Sequence, residues 1–454
     1  MSEKESNPDL QRKLGLFPLT NIVIANMIGA GIFTTSGLLI ADLLDPILMI
    51  VLWVVGGIIA LCGALAYARL GVAFPQAGGE YVFLSKLFHP LLGFLSGWTS
   101  FVVGFSAPIA ASSIGFSEYL SRAFPWMFQW AVFGNDSVIP SKTFAVAVIL
   151  VFTLVHMRGI ETGARIQNYL TILKVGLIVA LIVGGLSLGN GDFTHLRDSA
   201  SFSFGFEGWK TIGLSLMWIM FAYSGWNAAT YIGSEVRNPK RHLPLSLYAG
   251  TGIVILLYVG LNVTFVYALS PGEMSGVISV GGLAMGALFG GSIETISSVL
   301  ISFALFSSLS AFIILGPRVY YAMARDGVFF KSVSYIHPRF EVPTRSIALQ
   351  GAIAIIMVLS GTFDQILTFM GFSLGIFPLF AVLGVFKLNR QESIGWDSAA
   401  SRPASAFYVL ACLCILILAY LERPLESSIA LVTVAAGVPL YYLFKRRSNA
   451  KLPE

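Results

Sequence analysis

Charge is scarce in this 454-residue sequence: Asp, Glu, Lys and Arg make up 11% of it, whereas 56% is hydrophobic. A water-soluble domain is usually about 25% charged, so there is too little polar surface here for a fold that faces water on every side. Long polar stretches are also missing. The connections between apolar runs span roughly 10 to 20 residues, too few to bury a core of their own, which excludes a separate soluble domain. Histidine occurs five times, dispersed. With no His or Cys at ligand spacing and no legible nucleophile–base pair, no metal, no cofactor and no enzymatic activity are expected. Cysteine occurs three times, as Cys62, Cys412 and Cys414, always within apolar runs. No structural disulfide is therefore expected. The net charge of +5 does not imply a nucleic-acid partner, because basic residues gather on one side of membrane proteins for topological reasons.

Hydrophobic runs are what the sequence has in abundance, and the mean hydropathy is +0.80. A helix needs about 20 mostly apolar residues to cross the hydrocarbon core of a bilayer. Twelve such spans are legible, near 17–40, 46–70, 91–120, 142–157, 164–188, 209–235, 245–269, 293–322, 345–360, 364–387, 404–420 and 427–444. The fourth and ninth are the shortest. The first follows a polar "MSEKESNPDLQRK" and is too long for the core of a signal peptide, so no cleavable leader is expected. Placing the N-terminus inside leaves only Arg122, Lys142, Arg197, Lys210 and Arg423 outside, of 28 Lys and Arg residues, with Lys174 within the membrane. The opposite orientation would invert this bias, so both termini are expected on the cytoplasmic side.

Two spans carry poor helix formers at their midpoints. The first contains "NMIGAGIFTTSG" (26–37), and the sixth contains "FAYSGWNAATYIGSE" (221–235). Spans one and six stand five apart, so they would open two halves of opposite orientation, 17–190 and 209–387, with 404–444 left as a peripheral pair. Interrupted helices at matching positions of two halves point to a transporter's substrate site. Small residues in membrane helices also serve close helix packing, and either motif alone could be that.

An unwound segment frees backbone polar groups, which persist in a membrane only where they are buried in protein or line a cavity. With the N-terminus inside, the second half of span one starts near Gly31 and aims its free amides and positive dipole end at the midplane. A carboxylate suits that place. The first half of span six ends near Tyr223, leaving the carbonyls of Phe221, Ala222 and Ser224 to receive an ammonium. A pocket with both features fits a zwitterion, that is, an amino acid.

The strings "GAGIF", "FPQAGGEY" (74–81), "GARIQNYLTILK" (163–174), "FAYSGWN", "PRVYYAMARDG" (317–327) and "VPTRS" (342–346) resemble, in this order, the amino acid–polyamine–organocation superfamily. Within it they are most similar to the L-type amino acid transporters and their bacterial relatives. The likeness runs from about 15 to 390; the last two spans match only in number. It implies an all-α membrane protein with a LeuT-like five-plus-five inverted repeat, two additional C-terminal helices and alternating access. It also implies a site in which the amides of Gly29, Ala30 and Gly31 bind the substrate carboxylate, with the Ile28 carbonyl near the amino group. The carbonyls of Phe221, Ala222 and Ser224 would complete the ammonium site, the Phe221 ring would cover the substrate from outside, and Asn227 would brace the unwound segment. Tyr258 is a further candidate for carboxylate contact.

Many relatives carry serine where Ala30 stands, and some carry glycine where Ser224 stands. The missing hydroxyl and added bulk favour small or medium neutral amino acids. The eukaryotic L-type carriers join a glycoprotein through a cysteine between spans three and four. That loop, about 121–142, has no cysteine here, so no disulfide-linked subunit is expected, and the resemblance implies a stand-alone transporter of a bacterial or archaeal inner membrane.

Lys174 lies mid-span, where a charge costs at least about 2.5 kcal/mol and is presumed functional. The resemblance gives it the place of a sodium ion, tying span five to the break in span one, so transport is expected not to require sodium. Proton coupling through Lys174 and a permanently charged tether both stay open. Glu118, Glu294 and Asp364 lie near outer span ends, where solvent contact is expected. Trp98, Trp218 and Trp226 read as packing residues. An exchanger of neutral amino acids leads the functional readings, ahead of a proton-coupled symporter. A cationic amino-acid or polyamine carrier would want a carboxylate near the breaks, and none is legible there.

Overall fold

The computed structural model describes residues 12, 14–76, 78–129, 138–158, 163–198, 202–325, 327–340, 342–388 and 398–449. Lys4, Lys13, Arg390 and Lys451, expected inside, lie outside the described residues, as do residues 130–137 of the loop after span three and the side chains of Arg165, Arg318, Arg325 and Arg447. Regular structure among the described residues is helical, apart from one isolated parallel pairing of Leu14 with Val236.

The first span is two helices, α1 (Leu16–Met27) and α2 (Ala30–Leu43), separated by Ile28 and Gly29. Next comes α3 (Pro46–Ala73). The Asp45 carboxylate caps it by accepting from Leu48 N–H at 2.9 Å, and Pro46 takes a first-turn position where its missing N–H is no loss. A glycine turn leads into the short α4 (Glu80–Leu87). Then α5 (Pro90–Thr99) and α6 (Ser106–Ala123) form one long rod, joined by a π-helical turn at Ser100–Gly104. After α7 (Val138–His156) and α8 (Gly163–Leu188), α9 (Phe206–Ala222) stops abruptly. A turn at 223–227 follows it, then a 3-10 segment, Ala228–Glu235.

The long α10 (Pro239–Ala268) is followed by α11 (Pro271–Met274) and α12 (Val280–Phe289), two helices in a connection whose glycine-rich sequence does not announce them. The chain ends in α13 (Gly291–Arg325), α14 (Thr344–Ser360), α15 (Phe363–Leu383), α16 (Ser398–Glu422) and α17 (Pro424–Asn449).

Among the described residues, eight stretches are long and apolar enough to cross a membrane: α1 with α2, α3, α5 with α6, the Thr171–Leu188 part of α8, α10, α15 with its extension to Lys387, α16, and α17. The expected spans four, six, eight and nine fall on α7, α9, α13 and α14. Of these, α7 from Pro140, α14, and α13 as far as Leu305 are apolar but shorter, and α9 is cut off by the turn at 223.

Peripheral helices show an apolar face turned away from the bundle. On α8, Ile172 and Leu173 point outward while Thr171, Lys174 and Ile178 are buried, which is the 3.6-residue period of a helix half in contact with protein. The broken first span is among the most buried, together with α5 and α6. Gly250 of α10 lets Val23 of α1 approach so closely that a Cβ there would lie 2.6 Å from it. The second half of the span, α2, is tied at several points: Gly276 N–H donates to the Gly37 carbonyl at 2.7 Å, and Ser36 Oγ to Asn262 Oδ1 at 2.6 Å. Tyr119 of α6 donates to the Phe33 carbonyl at 2.5 Å and accepts from Gly281 N–H at 3.0 Å. The opposite end is closed by backbone pairing, with Leu14 N–H on the Glu235 carbonyl and Arg237 N–H on the Leu14 carbonyl, both at 2.9 Å.

Candidate substrate site

The two weak midpoints meet. A Cβ added to Gly31 would stand 2.5 Å from the Ala222 Cα, so the start of α2 and the end of α9 touch backbone to backbone. Gly225, at φ +97°, lies in the left-handed region that favours glycine, and a Cβ on it would come within 2.7 Å of the Asn26 backbone. These glycines are therefore required where the breaks press together. Gly29 differs: a Cβ there would find only the Met27 carbonyl, 4.0 Å away.

Between the breaks lies a pocket lined by Asn26, Met27, Gly29, Ala30, Gly31, Pro108, Ser112, Phe221, Ala222, Ser224 and Phe312. Five of the expected site residues other than Phe221, namely Gly29, Ala30, Gly31, Ala222 and Ser224, line it, and Phe221 is buried against them. No side chain caps the N-terminus of α2, so its first amides and the positive end of its dipole face this space. The pocket holds only about 10 Å³ of water-accessible space, which is room for one water. An amino acid could enter only if the breaks moved apart.

Ile28, Asn227 and Tyr258 stand behind this wall. The Ile28 carbonyl, expected near a substrate amino group, is instead met by Lys174 Nζ at 3.4 Å and Ser308 Oγ at 3.3 Å. Tyr258, expected to touch a carboxylate, is buried with its hydroxyl turned to two carbonyls, Met27 at 2.6 Å and Ala222 at 3.1 Å. It bridges the C-terminal ends of α1 and α9; Trp53 packs edge-on against both Tyr258 and Tyr223, and the Tyr223 ring lies tilted against Tyr258 at 38°. Asn227 donates to Glu80 Oε1 at 2.6 Å.

The carbonyls assigned to an ammonium are partly engaged. Phe221 accepts from Ser224 N–H at 2.8 Å and Ala222 from Tyr258. Each carbonyl has two lone pairs, so both can take a further donor.

Lys174 is 2% exposed and donates to Ser308 Oγ at 2.7 Å. It thereby joins α8, α13 and the end of α1. A cation suits this place because the C-terminal carbonyls of α1 form the negative end of its dipole. Ser308, Pro108, Ser112, Phe312, Glu80 and Tyr119 were not legible as site residues, because only the packing of separate helices brings them to the breaks.

At the helix ends expected outside, Glu294 and Asp364 are ion-paired and only partly open to solvent. Glu294 meets Arg122 at 2.9 Å and Asp364 meets Arg423 at 3.7 Å. Glu118 accepts from Ser141 Oγ at 2.7 Å. Trp98 and Trp218 donate their indole N–H groups to the Thr433 carbonyl and to Thr368, and Trp226 packs edge-on against Tyr67.

A profile of the family described as amino acid permease matches residues 14–438. The chain belongs to the amino acid permease family. Relatives of this permease include the serine/threonine exchanger SteT of Bacillus subtilis (strain 168), 29% identical over 96% of the chain and 98% of SteT. It is similar as well to the b(0,+)-type amino acid transporter 1 of Mus musculus, at 27% identity over 96% of the chain and 88% of that protein. The human cystine/glutamate transporter is 27% identical, over 96% of the chain and 85% of its own length. These relatives are amino-acid transporters and not enzymes, and the permease is a multi-pass membrane protein of the same kind.

Proposed function

We propose that the permease is a sodium-independent exchanger of small or medium neutral L-amino acids working by alternating access. The observation that carries this reading is the meeting of the two breaks. The uncapped amides of α2 and the terminal carbonyls of α9 face one pocket, a matched pair of half-sites for carboxylate and ammonium. Neutral substrates are favoured because no charged side chain lines that pocket. The Phe221 ring, buried at its edge, is placed to cover the substrate, and Ser224 narrows the side-chain space. Exchange agrees with the similarity to SteT, a serine/threonine exchanger.

In this reading the chain crosses the membrane twelve times as a single domain, 17–190 and 209–387 being inverted repeats and 404–444 a peripheral pair, with both termini cytoplasmic. Lys174 holds its ammonium between the Ile28 carbonyl and Ser308, where a sodium ion would otherwise bind. The protein works in a bacterial or archaeal inner membrane without a disulfide-linked subunit. Proteoliposomes loaded with one amino acid and offered another from a panel of twenty test the proposal. Uptake should need internal substrate and ignore both sodium and a pH gradient. Uptake into empty vesicles driven by a proton gradient would instead establish proton symport.

A further inference from the structure

The "FPQAGGEY" motif is not part of the substrate pocket, yet the structure builds it into an elaborate contact. Glu80, at the start of α4, is 5% exposed. Its carboxylate accepts from three groups: Tyr67 Oη of α3 at 2.9 Å, Asn227 Nδ2 at 2.6 Å, and the Tyr231 hydroxyl. Asn227 ends the turn that breaks the sixth span, and Tyr231 lies in the 3-10 segment that follows it. The Tyr231 carbonyl is held too, accepting from Gly78 N–H at 3.2 Å. Gly79 sits at φ +51°, and a Cβ on it would come within 2.5 Å of the Tyr231 ring. The two glycines thus let the turn close over the ring from one side while the carboxylate grips it at the tip.

The other end of α4 is fastened elsewhere. Lys387, beyond α15, donates to the Leu87 carbonyl at 3.0 Å and lies over the Phe88 ring. Gly93 of α5 passes Ser85 so closely that a Cβ would overlap its hydroxyl. The short helix α4 is therefore a strut between the second break and the α5 and α15 end of the bundle. Val236, which pairs with Leu14 and closes the same face, follows Tyr231 by only five positions, so a hold on Tyr231 is a hold on that closure.

We propose that Glu80 is a positioning residue that latches the post-break half of the sixth span through Tyr231 and Asn227, and so holds the Leu14–Val236 end of the transport path shut. This rests on the transport reading and its orientation, which make that end cytoplasmic. Losing a hydrogen bond to a buried charge shifts such an equilibrium by roughly tenfold or more, and the shift favours the state open to the inside.

The test uses Tyr231→Phe, which removes one donor and leaves the ring, together with Glu80→Gln. Apparent KM is measured separately from the outer and inner faces in oriented proteoliposomes. The inner KM should fall by up to about tenfold while the outer KM rises, because apparent affinity scales with the population of the competent state. A fault in folding alone would lower the maximal rate and move neither KM in opposite senses. In parallel, Leu14→Cys and Val236→Cys are combined in a chain whose Cys62, Cys412 and Cys414 are serine, and disulfide formation is followed. Cross-linking should be efficient with Glu80 and Tyr231 intact and several-fold slower in either variant. Unchanged cross-linking, or KM values that move together, overturns the latch. If the intact protein exchanges no amino acid, the transport reading fails by itself, and the cross-linking rates alone decide whether Glu80 latches this end.

Discussion

A methyl group added at Gly31 probes whether the meeting of the two breaks is what makes the site. The new carbon would sit 2.5 Å from the Ala222 Cα and 2.6 Å from its Cβ. Ordinary carbon–carbon contact needs about 3.5 Å or more, so α2 and α9 must part by about 1 Å. Both neighbours are main chain or the first side-chain atom, so no flexible tip can yield. Overpacking of this kind costs about 1–3 kcal/mol. If the strain is felt where amides and carbonyls grip the same ligand, affinity falls roughly 5- to 150-fold. Gly29→Ala is the internal control, since its methyl meets nothing closer than a carbonyl at 4.0 Å and leaves the helices in register. Thermal unfolding in detergent and ligand-induced stabilisation should be measured on both. Gly31→Ala should lower the Tm and lose the stabilisation by amino acids. Gly29→Ala should keep the Tm and change only which ligands stabilise. A Gly31→Ala protein with unaltered Tm and exchange would refute the close approach and the site built upon it.

Ala30→Leu should abolish binding while leaving the fold largely intact, because Ala30 lines the pocket at the amide cluster; normal transport by this variant would make the motif a packing seam. Lys174→Met leaves the Ile28 carbonyl and the Ser308 hydroxyl facing an apolar side chain, and an unmet buried polar group costs about 1–3 kcal/mol. Exchange should drop at least several-fold, and flux through the unmodified protein should be the same in sodium and in choline. Gly225→Ala combines φ +97° with a Cβ at 2.7 Å from the Asn26 backbone. Its Tm should fall by more than that of Gly252→Ala, a glycine with open space around it; equal losses would count against a special role for Gly225. Tyr258→Phe removes the hydroxyl that links the ends of α1 and α9. Exchange should slow in a fluorescence-based counterflow assay while membrane insertion is retained.

Much of this molecule is dictated by composition and order along the chain. Scarce charge and long apolar runs require a membrane, and the uneven distribution of Lys and Arg suggests how the chain is threaded through it. Glycine clusters in mid-span are local events, visible wherever helix propensity collapses between apolar flanks. That is why the neighbourhoods of Gly31 and of Phe221, Ala222 and Ser224 could be named from sequence, while the resemblance added Gly29 and Ala30, and all six line one pocket. The family motifs, spread along the chain, could be read the same way.

What the linear order could not supply is the partner of each polar group. Ile28 and Tyr258 belong to the right neighbourhood, but their polar atoms turn away from the pocket. One carbonyl is filled by Lys174 and Ser308, and one hydroxyl by two carbonyls. Glu80 was only a letter in a motif until folding placed it beside Tyr231, 151 residues later. The physical reason is that apolar patterning is read residue by residue, whereas satisfying a buried polar group depends on which distant helix packs against it. Sequence therefore determined the membrane, the breaks and the backbone chemistry of the proposed site. Only the tertiary structure decided which of those groups remain free for a substrate and which hold the protein together.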